Sequence, residues 1–182
     1  MNVDDQAIGI VVGGSLSRGV QVRLLGNLPV ENINIGSFVT IQAPSHRFFG
    51  IITDVSLELS DGSLRAAPPD TSNAFIASVM AGTGAYVIVE VLPQLRIGND
   101  AFSMLDGPQP ARSMPGHFSQ VYSSSEEDIR AVFGTEDEQH MWIGNPVDME
   151  NTRIHLDLDE LVKRSNGAVS YTHLTLPTNR EV

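Results

Sequence analysis

Five histidines and two closely spaced aspartates are the residues in this chain best suited to chemistry. His46, His117, His140, His155 and His173 are scattered, with none of the spacings that zinc ligation requires. Asp157 and Asp159 could in principle hold magnesium. They open the run Asp157-Leu-Asp-Glu-Leu-Val-Lys-Arg, however, whose acids come first and bases last, the charge order of a capped helix. Gly13-Gly14 follows the apolar run Ala7–Val12 and invites a phosphate-loop reading. Such a loop needs a helix N-terminus behind it to supply free N–H groups. Here Val20, Val22 and Leu24 alternate with Gln21 and Arg23, which is strand periodicity. Gly82-Thr-Gly84 likewise feeds a strand pattern. Gly13-Gly-Ser-Leu-Ser lacks the second glycine of a nucleophile elbow, so a Ser/His/Asp triad has no anchor. Arg47-Phe48-Phe49 could form a stacking platform for single-stranded nucleic acid. Strand alternation turns at least one of those rings into a core. No catalytic, cofactor-binding or metal-binding residue is assigned.

The elements that would carry any site are short strands. The centre of the pattern is residues 36–55, where Phe38, Val39 and Ile41 form one run and Phe48, Phe49, Ile51, Ile52 and Val55 a second. Ala43-Pro-Ser supplies the turn between them, and the pair reads as a β-hairpin with a buried face. Gly50 inside the second run predicts a bulge or a sharp barrel corner. Residues 28–36 form a connection with room for one helical turn, and alternation resumes through Leu57 and Leu59 to a turn at Ser60-Asp-Gly-Ser. Residues 65–74 read as a surface loop, followed by the short run Phe75–Met80. Tyr86–Leu92 has the strongest β propensity and is expected to stop at Pro93. These runs, with no amphipathic helix among them, indicate a mainly β fold, a small closed β-barrel.

Beyond residue 98 the character changes. Asp106-Gly-Pro-Gln-Pro and Met114-Pro-Gly mark a linker. Ser125–Gly134 reads as a compact helix with Ser125 as N-cap and Gly134 closing it. A strand is expected around Arg153–Leu156, then a short helix, then the start of a buried strand at Asn166–Val169. The expected organisation is a barrel at 1–98, a linker at 99–125, a lead-in to a further domain at 126–169 and a tail at 170–182. Residues 7–98 are expected to be the independently stable unit, with proteolysis first between Asp106 and Ser125.

Composition narrows the function. The 182 residues hold no cysteine, which removes disulfides and thiolate metal sites, and no apolar run reaches membrane-spanning length. The acidic N-terminus does not resemble a secretory signal, so a cytoplasmic location is expected. A net charge of −11 opposes broad contact with nucleic acid. Half of the acids, 11 of 22, fall within residues 126–160 beside only Arg130 and Arg153. That stretch is either a solvated acidic face or a docking surface for a basic partner.

Several stretches resemble the HerA-like ATPases of the HerA/FtsK superfamily. Ile8-Gly-Ile-Val-Val-Gly-Gly-Ser-Leu-Ser-Arg-Gly-Val-Gln-Val-Arg-Leu is similar to the opening of their N-terminal HAS-barrel, and His46-Arg-Phe-Phe-Gly-Ile-Ile-Thr-Asp-Val to its central hairpin. Ile143-Gly-Asn-Pro-Val-Asp-Met and Ile154–Val169 resemble the run into their ATPase domain. The resemblance implies a barrel that helps assemble a hexameric homo-oligomeric ring. It also implies an ATPase core that uses ATP and Mg2+ to move double-stranded DNA, with a NurA-type nuclease as a possible partner. In that family the phosphate loop begins just after the position of Val169. Here Ser170–Val182 stands there, so no family site residue carries over and this chain is expected neither to bind nor to hydrolyse ATP. The stretch Val169-Ser-Tyr-Thr-His-Leu-Thr-Leu-Pro-Thr resembles translated sequencing-adaptor sequence. The alternative functions are a free-standing barrel scaffold without ATPase activity and an oligonucleotide-binding barrel, with weak or no DNA binding expected of the isolated chain.

Overall fold

The computed structural model describes residues 6–25, 29–70, 72–80, 84–100, 103 and 105–163. The expectations for Asn166–Val169 and for the tail at 170–182 lie outside the described residues. Strands β1 (Gly9–Ser15) and β2 (Gly19–Leu24) form the first hairpin. A single 3-10 turn at Val30–Asn32 leads to β3 (Phe38–Gln42) and β4 (His46–Leu59), the second hairpin. Strand β5 (Ala85–Gly98) pairs with β4 along its whole length and with β2 through Val20–Arg23.

These five strands lie in the order β1-β2-β5-β4-β3, which leaves a gap between β1 and β3. The gap is filled by β7 (Gln120–Ser123), antiparallel to both neighbours, and the barrel closes with six staves. The two-residue β6 (Gln109–Pro110) adds to the outer part of β5. The segment expected as a linker at 99–125 therefore contains a stave of the barrel. Its four residues include one inward apolar side chain, Val121, too few for alternation to register in the sequence. Closure pairs β3 over Val39–Gln42 and the start of β1 at Gly9 and Ile10, where unpaired N–H and C=O groups would invite association.

Alternation places Val11, Val20, Val22, Val39, Ile41, Phe48, Ile52, Val89, Val91 and Val121 in one interior cluster. Ile41 and Val121 are wholly buried, and each such side chain contributes about 2 kcal/mol by leaving water. Gly50 occupies the barrel corner that its place in the strand suggests. The β4–β5 register shifts between Phe49 and Gly50, and a Cβ at Gly50 would sit 2.8 Å from the Leu92 carbonyl oxygen. Pro93, opposite Gly50, does not end β5. A proline lacks an N–H to donate, and a bulge is where a ladder tolerates that.

Two short helices interrupt the strands where none was expected: α1 (Ser63–Ala66) and α2 (Ala74–Val79). The Asn73 side chain caps α2 by accepting from the Phe75 N–H, a local bond that turns the apolar run away from strand. Helix α3 (Glu126–Phe133) forms as its sequence implies. Ser125 and Asp128 make a reciprocal capping box, and Gly134, at φ 71°, takes a positive-φ conformation open to glycine that ends the helix. Beyond it, β8 (His140–Gly144) and β9 (Ile154–Asp157) pair as a separate two-stranded sheet, followed by α4 (Leu158–Val162).

Candidate functional site

Helix α3 lies against the outer face of the barrel, and a connected set of polar side chains fixes it there. Thr40 points outward from β3 and is buried because α3 covers it. Its hydroxyl donates to Asp128 Oδ2 at 3.0 Å and shares a hydrogen bond with the Ser124 hydroxyl at 3.0 Å. The Ser125 N–H donates to the same Oδ2 at 3.1 Å, and the Arg47 guanidinium meets Oδ1 at 3.1 Å. The Asp128 carboxylate thus has protein donors on both oxygens, which offsets the cost of burying it. A carboxylate so occupied acts as a fastener between α3 and the barrel. The apolar half of the junction is Phe49 and Ile51 from β4, which with Phe38 meet Ile129, Val132 and Phe133 around a crevice of only about 40 Å3. Phe38 and Phe133 touch edge to face, their centroids 5.7 Å apart.

This arrangement removes the stacking platform. Phe48 is 2% exposed inside the barrel and Phe49 is 6% exposed beneath α3, with the Arg47 guanidinium 5.3 Å above its ring. Both phenylalanines are buried because the strand is covered on both faces. Arg47 is committed to Asp128. No aromatic face of this tripeptide is offered to a base.

A second polar junction joins the barrel to the loop after β8. Asp148 accepts from the Asn34 side-chain amide at 2.7 Å and from the Ser37 hydroxyl. The cleft beside it, about 450 Å3, is bordered by Glu31, Asn32, Phe38, Ser123, Pro146 and Met149. Ser37 and Asp148, which also line it, are bonded to each other across this junction. Asp157 caps α4, its Oδ1 accepting from the Glu160 N–H at 3.0 Å. Among the described residues, no three His, Asp or Glu side chains converge as a metal site. No described helix is long and apolar enough to cross a membrane.

The histidines are separated by their elements. His46 lies on β4, His117 is exposed before β7, and His173 falls outside the described residues. His140, at the start of β8, bonds Asp137 Oδ1 through Nδ1 at 2.9 Å, while its Nε2 lies 3.9 Å from Asp157 Oδ2. The hydrogen bond to Asp137, then the negative charges of Asp137, Asp157 and Asp159, hold the imidazole above its ordinary 6.5. The bond from His140, then that from the Gln139 N–H, holds Asp137 below the usual carboxylate range. His155 on β9 is buried, and neither ring nitrogen has a hydrogen-bond partner among the described residues.

Residues 8–92 match the family described as the HAS barrel domain. This chain carries a HAS barrel. The HAS barrel is a β-barrel module found in some ATPases and assembly domains. No curated protein matches the chain. The matched region covers β1 to β5, the five strands that leave the gap, and stops short of β7. The stave that completes this HAS barrel is therefore supplied from outside the matched residues, and α3 follows it directly. Asp128, Thr40 and Asp148 carry the two polar junctions, and their sequence context gave them no such role. The one available signal was the Ser125-x-x-Asp128 spacing, which announces a cap and says nothing of a second use for the same carboxylate.

Proposed function

We propose that this HAS barrel is the N-terminal assembly module of a HerA-like, ATP-dependent double-stranded DNA translocase or helicase. In this reading the barrel gathers copies of the chain into a hexameric ring. ATP, Mg2+ and DNA engage a P-loop core whose motifs are not among these 182 residues, and a NurA-type nuclease is a possible partner. The observation that carries the reading is the HAS barrel match over residues 8–92, on a closed barrel. Two features support it. The stretches Ile143–Met149 and Ile154–Val169 resemble the run into the ATPase domain of those proteins. The net charge of −11 repels phosphate, which assigns the grip on DNA to another part of such a protein.

The test is to amplify the locus from source DNA and read across codon 169. The reading expects the native frame to continue into a glycine-rich loop ending Gly-Lys-Ser/Thr. A native frame that encodes Ser170–Val182 and then stops overturns it and leaves a free-standing barrel scaffold.

A further inference from the structure

Three pieces of the chain beyond the barrel meet at the half-buried imidazole of His140. The first is the end of α3. A Cβ at Gly134 would come within 3.0 Å of the ring, so the ring lies against that C-terminus, where unpaired carbonyls favour a cation. The second is the turn before β8. Asp137 Oδ1 accepts from the Gln139 and His140 N–H groups at 2.7 and 2.8 Å and from His140 Nδ1 at 2.9 Å. That bond keeps a hydrogen on Nδ1 in either charge state, so the proton that comes and goes is on Nε2. The third is the start of α4. His140 and Asp157 are register partners across β8 and β9, and Nε2 faces Asp157 Oδ2 at 3.9 Å. The other oxygen, Oδ1, caps α4 through the Glu160 N–H.

Helix α4 is an element that a small free energy can move. It has five residues, none of them buried, and is too short to persist unaided. Besides the Asp157 cap, backbone bonds from Leu158 to Gln139 and from Lys163 to Asp159 hold it in place. A charge interaction across partly exposed groups is weak, yet it shifts the populations of an element that is already close to opening. The charged groups acting on the ring all have one sign: Asp137 in the turn, Asp157 at the end of β9 and Asp159 on α4.

We infer that a proton on His140 Nε2 latches α4 to the start of β8 and the end of α3. When the proton is present, an N–H points at Asp157 Oδ2 and steadies the carboxylate whose other oxygen caps the helix. When it leaves to solvent, a lone pair faces the same oxygen, the carboxylate swings free and the cap loosens. The device lies outside the HAS barrel match and is independent of the barrel's proposed role in a ring.

The test is an NMR titration of the full chain from pH 6 to pH 8. It follows the Cα secondary shifts of Leu158–Val162 for helix population and the His140 ring nitrogens for protonation. The ratio of helical to open α4 should fall about two- to threefold, with the midpoint of the His140 titration, and added salt should flatten the change. Asp157→Asn keeps a capping oxygen for Glu160 and removes the charge that faces Nε2. It should retain the helix at pH 6 and lose the slope. His140→Gln, which leaves the cap untouched, should be flat as well. A flat wild-type profile overturns the inference, as does a midpoint apart from that of His140. An undiminished slope in either variant also overturns it.

Discussion

Phe118 combines two unfavourable features at one residue. Its φ is 64°, a left-handed conformation that a bulky side chain rarely adopts, and its ring is 71% exposed. The neighbouring backbone imposes this. The Phe118 N–H donates to the Val11 carbonyl and the Ser119 carbonyl accepts from the Val11 N–H, clamping the chain to β1 on either side of the residue. Phe118→Gly should raise unfolding free energy by roughly 0.5–1 kcal/mol and Phe118→Val should lower it by about 1, in urea titrations. The reverse order would show that the conformation is not strained. His140 gives a pH dependence. Its folded value lies above the unfolded one, so the stability it contributes is complete below 6.5 and is lost as pH rises through the folded value. Asp137, held low, works the other way: its contribution is complete above 3.8 and is lost as pH falls through its folded value. Protection of the β8 amides, corrected for intrinsic exchange, should fall from pH 6 to pH 8, and His140→Gln should abolish that slope. Neither feature was legible in the sequence, because each arises from a contact between distant or turn-related segments.

At the scale of elements, local patterning was a good guide wherever it was long. The strands around Val20–Leu24, Phe38–Ile41 and Phe48–Val55 and the capped helix from Ser125 all fold where their periodicity and caps indicate. It misled at Pro93, where a bulge absorbs the missing donor, and at Phe75–Met80, where a single Asn73 cap decides for helix. It was silent on how α3 meets the barrel, since the network joins Thr40 and Arg47 to residues more than 80 positions away. That junction has a measurable weight. Asp128→Ala leaves Thr40 and Arg47 without their acceptor and removes half of the capping box, and should cost about 3 kcal/mol in equilibrium unfolding. Arg47→Ala, at a side chain one-third exposed, should cost only about 1. Equal small losses for both would mean that α3 is held by Phe49, Ile129 and Phe133 alone.

For the whole molecule, the fold class was legible but the boundary of the barrel was not. Five strands before residue 98 carry nearly all of the alternation, yet a five-stranded sheet with β1 and β3 at its edges is an open one. The sixth stave arrives after a connection of some twenty residues, from a segment rich in proline and glycine with the composition of a linker. Its burial, Val121 in the core and four register pairs to β3, is a property of the closed barrel and of no local window. The same closure ties α3, and through Asp148 the loop after β8, to the HAS barrel, so that barrel, helix and loop should resist unfolding together. Native-state hydrogen exchange on the full chain tests this most directly. If β7 closes the barrel, the amides of Gln120–Ser123 that face β1 and β3 exchange only with global unfolding, at the same free energy as those of β2 and β5. Exchange of those amides at the rate of a free loop, while β2 and β5 stay protected, would contradict it.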